Sequence, residues 1–98
     1  MTDANNGQQP EPISVYGAIA QTIEFLASLA WQKMGLQPDI ITGKIEQDMA
    51  QAKVAVDTVA TLAEILEPHL EEESDKRSVQ NIVRDLRVNY VEKSGESK

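Results

Sequence analysis

Apolar residues recur at a four-three spacing through the middle of the chain: Ile45, Met49, Ala52, Val56, Val59, Ala63 and Leu66. At 3.6 residues per turn that spacing puts them on one stripe, the a/d seam of a helix packed lengthwise against others. It predicts a helix from about Lys44 to Glu67, which Pro68 stops. The outer face of this helix carries Glu46, Gln47, Gln51, Lys53, Asp57, Thr58 and Glu64.

Two further helices follow from the same pattern. The first starts at Ser14, a good N-cap residue, and runs to Met34. Gly35 suits the left-handed C′ position, Leu36 can fold back onto the helix, and Pro38 forbids continuation. One of its apolar stripes is Tyr16, Ile19, Ile23, Leu26 and Ala30. A second is Ala18, Phe25 and Leu29, and Trp31 lies on a third side, below Ala20, Glu24 and Ala27. The last helix spans about Glu71 to Glu92, with a seam of Val79, Val83, Leu86 and Tyr90 and with Ile82 beside it. Glu71, Glu72, Glu73 and Asp75 sit in its first turns, where the helix dipole favours acids.

Short connections make neighbouring helices antiparallel. The expected fold is therefore all-α: a three-helix antiparallel up-down-up bundle with a long, coiled-coil-like central helix over residues 13–93. The flanks 1–12 and 94–98 read as disordered tails by composition. A helix apolar on most sides is buried on most sides, and one small monomer cannot cover the first helix. Oligomerisation is expected to complete the core, with Tyr16, Ile19, Ile23, Phe25, Leu26, Leu29 and Trp31 as the interface. For Trp31, the sole tryptophan, two readings stand: an anchor for a partner, or a cap on the end of the bundle.

Charge and composition narrow the function. The net charge is −7, with nine Lys and Arg scattered among sixteen acids. A phosphate-binding surface needs clustered bases, so neither nucleic acid nor an anionic membrane is an expected partner. With no cysteine there is no disulfide, thiolate-zinc site or thiol nucleophile. Residues Met1 to Pro12 carry no base and no apolar segment, so a cytoplasmic protein is expected. The run Ile13 to Trp31 has nearly the length of a membrane span. Gln21, Thr22, Glu24 and Ser28 cluster at its middle, where polar groups cost most, so no span is expected.

Candidate chemistry is sparse. Glu24, the only charge between Ile13 and Trp31, reads as an edge residue reaching solvent or pairing across an interface rather than as a buried functional acid. Glu64, Glu67, Glu71, Glu72, Glu73 and Asp75 lack the alternating oxygen ligands and glycine turn of a calcium loop, and read as a solvated acidic elbow. His69 has no second histidine or cysteine to complete a metal site. Thr42-Gly43-Lys44 lacks the upstream glycine and following hydroxyl of a phosphate loop, and reads as a turn. Arg84, Asp85 and Arg87 read as surface charges, with subunit contacts as the other reading. No nucleophile–base pair emerges, so no enzyme, cofactor or metal is expected.

An ordered set of residues suggests a family. It comprises Phe25 through Ala30, Gly35, Pro38, Thr42-Gly43, Asp48-Met49, Ala52-Lys53, Val56-Asp57, Val59 and Leu62. It continues with Leu70, Glu73, Asp85-Leu86-Arg87 and Tyr90-Val91. On these positions the chain resembles, from Ile23 to Val91, a bacterial family of uncharacterised proteins, the domain-of-unknown-function family numbered 1844. The family pattern has Lys-Thr near the end of the second helix and Gly-Asn in the elbow, where this chain has Ile65-Leu66 and Pro68-His69. A function that needs a basic or glycine-rich elbow therefore does not carry over. The resemblance implies a small, helical, soluble bacterial protein with no known activity, and offers a translation-linked role as a lead.

The expected function is thus non-enzymatic: a homodimer assembled through the first helix. The alternative is an adaptor whose first helix receives a helix of another cytoplasmic protein, such as a translation factor.

Overall fold

A computed structural model describes residues 12–96, with Glu96 described by its backbone alone. The tail expected over 1–12 lies, but for Pro12, outside the described residues, as do Ser97 and Lys98. Three helices and no strand occur among the described residues: α1 (Val15–Lys33), α2 (Met49–Leu66) and α3 (Glu73–Glu96).

The Ser14 hydroxyl accepts from the Gly17 N–H at 3.3 Å and caps α1. At the other end, Leu36 N–H donates to Trp31 O and Gly35 N–H to Gln32 O, the paired bonds of a Schellman ending. Gly35 takes φ +82, and a Cβ there would also sit 3.4 Å from the Gln47 Cβ. That Cβ distance is an ordinary contact, so the position wants glycine for its backbone conformation.

Helix α2 begins five residues later than the seam pattern predicts. Asp48 is its N-cap: the carboxylate accepts from Gln51 N–H at 3.1 Å and from the Gln51 side-chain amide at 3.0 Å. This doubly bonded cap outcompetes a start at Lys44, because Gly43 at φ +72 turns the chain away from helical geometry. Ile45 is consequently outside the helix and exposed. The remaining seam residues keep their place: Ala52, Val56, Val59, Ala63 and Leu66 are buried and Met49 packs against them.

The connection Leu36–Gln47 is ordered by one side chain. Asp39 Oδ1 accepts from the N–H groups of Ile41 (2.7 Å) and Thr42 (3.0 Å). The Asp39 N–H donates to Lys44 O, and Gly43 N–H donates to Asp39 O. The hydrogen bonds from Thr42, then Ile41, hold the Asp39 carboxyl below its ordinary pKa. A lowered pKa means the loop contact is complete above the ordinary aspartate value of about 4 and is lost as pH falls through the lower folded value. The amide resonances of Ile41 and Thr42 should therefore stay fixed from neutral pH to about 4 and move only below it. A midpoint at or above the ordinary aspartate value would remove the cause assigned here.

After Leu66 the chain makes a 3-10 turn, Glu67–His69, which accommodates Pro68 at its start. Leu70 is extended, and α3 starts at Glu73, two residues later than expected, leaving Glu73 and Asp75 in its first turn. It ends at Glu96, so Ser94 to Glu96 continue the helix rather than opening a tail.

The core is a narrow seam between α1 and α2. Ile23, Ala27, Ala30 and Met34 face Ala52, Val56, Val59, Ala63 and Leu66. Four of these nine residues are alanines, small side chains that permit a close approach of two helices. The Asp48 N–H also donates to Lys33 O at 2.7 Å, joining the start of α2 to the end of α1. At the opposite end the Tyr16 and His69 rings stack with centroids 4.7 Å apart. Helix α3 is held more lightly: Leu86 is its one fully buried residue among those described, with Val79, Ile82, Val83 and Tyr90 half-buried. The molecule measures 58 × 33 × 18 Å. Its smallest dimension is under two helix diameters, so the helices cannot enclose one another on all sides.

Candidate interaction interface

The side of α1 that meets α3 is marked by a cavity of about 260 Å³ lined by Ala20, Ile23 and Glu24 on α1 and Asp75, Val79 and Ile82 on α3. Glu24 itself is exposed at its edge. No group of three or more His, Cys, Asp or Glu side chains is placed to hold a metal among the described residues. Nothing in this cavity pairs a nucleophile with a base, although Ser78 lies in it.

At 100° per residue, Phe25 and Leu29 fall on the flank of α1 away from that cavity. Phe25 is 60% exposed and Leu29 half-buried. Helix α2 meets α3 along Ala60, Ala63, Glu64 and Glu67. Its opposite flank carries Val54, Thr58, Thr61 and Ile65, again at four-three-four spacing, with Val54 65% and Ile65 53% exposed. On each helix the row also lies roughly opposite the residues that face the other helix, so the two rows are separate free surfaces, one on each helix.

The threonines make this surface more apolar than their names suggest. Thr22 Oγ1 donates to Ala18 O at 2.8 Å, Thr58 Oγ1 to Val54 O at 2.7 Å and Thr61 Oγ1 to Asp57 O at 3.1 Å. With each hydroxyl turned back onto its own helix, the methyl group is left to meet whatever packs there.

The seven residues expected to form the interface divide accordingly. Ile23 is 1% exposed and belongs to the core, because its stripe faces α2. Ile19, Leu26 and Trp31 pack half-buried against that core. Tyr16 is held against His69. Phe25 and Leu29 remain for an external contact. The α2 stripe is absent from the sequence-based expectation. Thr58 counts there as outer-face polarity, and only the backbone-directed hydroxyls reveal it as part of an apolar row.

Residues 18–92 of the sequence, which span these three helices, match the family model of the domain of unknown function DUF1844. The chain belongs to the DUF1844 family. The DUF1844 match begins within α1 and closes within α3, so it takes in both free flanks and the complete α1–α2 core. No curated protein and no solved structure matches the chain. No helix among the described residues is long and apolar enough to cross a membrane.

Proposed function

We propose that this DUF1844 protein is a non-enzymatic helical module that acts by self-association, as a homodimer, through the α1–α2 face. The observation that carries the proposal is the exposure of Phe25 on α1 and of Val54 and Ile65 on α2, with the Thr58 and Thr61 hydroxyls between the α2 residues already satisfied. A surface of this kind loses little on desolvation and gains apolar contact.

In this reading the chain is an antiparallel up-down-up bundle. The Tyr16–His69 stack and the Lys33–Asp48 hydrogen bond support it by setting the levels of α1 against α2. Counting between them brings Phe25 level with Thr58 and Leu29 level with Val54. Two copies packed through these rows then share an apolar seam of coiled-coil-like spacing, the α1 row of one copy meeting a row of the other.

Molar mass by light scattering after size-exclusion chromatography, over a wide concentration range, tests this reading. A dimer or larger assembly is expected. A chain that remains monomeric at high concentration would exclude it and favour the adaptor reading, in which the same face receives a helix of another protein.

A further inference from the structure

On the opposite flank of α2 lies a groove of about 380 Å³ between α2 and α3. Its floor is Ala63, Val79 and Val83. Its two rims carry opposite charge. The α2 rim has Glu64 and Glu67, and the α3 rim has Arg84 and Arg87. Neither Glu64 nor Arg87 has an ion-pair partner among the described residues. Arg84 is paired only with its sequence neighbour Asp85, at 3.3 Å and well exposed, a contact worth little. Within one chain the only side-chain hydrogen bond across the groove is that of Gln80 to Glu67, and no ion pair joins the two rims among the described residues.

We infer that this groove is a second self-recognition surface, occupied by the same groove of another copy related by a two-fold axis parallel to the helices. Such an axis exchanges the two rims while keeping each level along the helix. The acidic rim of each copy then faces the basic rim of the other. The Glu67 carboxylate accepts from the Gln80 amide, which sets those two residues at one level. One turn further along, Glu64 comes level with Arg84, and beyond it Ala60 comes level with Arg87. A two-fold axis across the helices would instead set acid against acid and base against base. The charges thus select one of the two possible pairings, as interface charges do. Because the contact is isologous, the Glu64–Arg84 pair is made twice, once along each side of the groove. The surface is separate from the α1–α2 face, and the two together build an assembly larger than a dimer.

The test is a charge exchange read by light scattering and sedimentation. Arg84→Glu with Arg87→Glu makes both rims acidic, and Glu64→Arg with Glu67→Arg makes both basic. Each double variant alone should self-associate through the groove about a hundredfold more weakly, since both Glu64–Arg84 pairs become repulsive and the outlying charges add to the like-charge field. An equimolar mixture should regain the wild-type mass, because an acidic copy and a basic copy complement each other along both rims. Recovery in the mixture also shows that both variants are folded. Unchanged mass in both separate variants, or failure of the mixture to recover, would overturn the proposal. The α1–α2 face is judged independently. If Phe25→Asp lowers the mass while rim reversal does not, that face stands and the groove fails. The converse result leaves the groove standing alone.

Discussion

Replacing Phe25 by aspartate is expected to weaken self-association by at least about a hundredfold while leaving the helical content unchanged. The fold is spared because the ring is 60% exposed and contributes little to the core of its own chain. The loss on assembly is larger because a two-fold interface counts each substitution twice. Burying the exposed part of a phenylalanine is worth about 1.5 kcal/mol, so two copies forfeit about 3 kcal/mol. A factor of ten in affinity corresponds to about 1.4 kcal/mol, which gives roughly two decades before any cost of desolvating the new carboxylates. Val54→Asp should act in the same direction, although Val54 belongs to another helix and is 65% exposed in the single chain. Agreement between the two variants would locate the contact on the α1–α2 face rather than on α1 alone. If Phe25→Asp dissociated the protein and Val54→Asp did not, the contact would be confined to α1.

That distinction marks where sequence reasoning reached and where it stopped. The α2 half of the core is legible because its alanines and branched residues repeat at the helical period, whereas on α1, apolar on most sides, the pattern does not single out Ile23, Ala27, Ala30 and Met34 as the core face. The Gly35 ending was legible because few other arrangements use Gly, Leu and Pro in that order. The start of α2 was misplaced because the four-three pattern reaches back to Ile45. The Asp48 and Gln51 spacing held the correction, as an acidic cap followed three residues later by a glutamine. The apolar row on α2 was hidden for a different reason. A threonine is polar or apolar according to where its hydroxyl points, and that is settled by the backbone carbonyl one turn earlier. The charge-divided groove likewise requires knowing that Glu64 and Arg84 lie on opposite walls of one cleft, which twenty residues of separation in sequence conceal.

Leu86→Ala is expected to cost about 2–5 kcal/mol, the range for deleting a buried leucine side chain. Leu86 is 0% exposed, and the other apolar residues that dock α3 are half-buried, so no neighbour can take over its contact. For a domain of this size the cost is a large part of a total stability of about 5–15 kcal/mol. At about 4–8 °C per kcal/mol, the melting temperature should fall by more than about 8 °C. The loss should also be uneven. The α1–α2 seam closes without Leu86, whereas α3 depends on it, so α3 amides should lose hydrogen-exchange protection before those of Ala27, Ala30, Val56 and Val59. Since α3 supplies one wall of the groove, the same variant should weaken groove-mediated assembly while sparing the α1–α2 contact. Uniform loss of protection across all three helices would mean that α3 and the α1–α2 pair unfold as one unit, and that the light attachment inferred for α3 is mistaken.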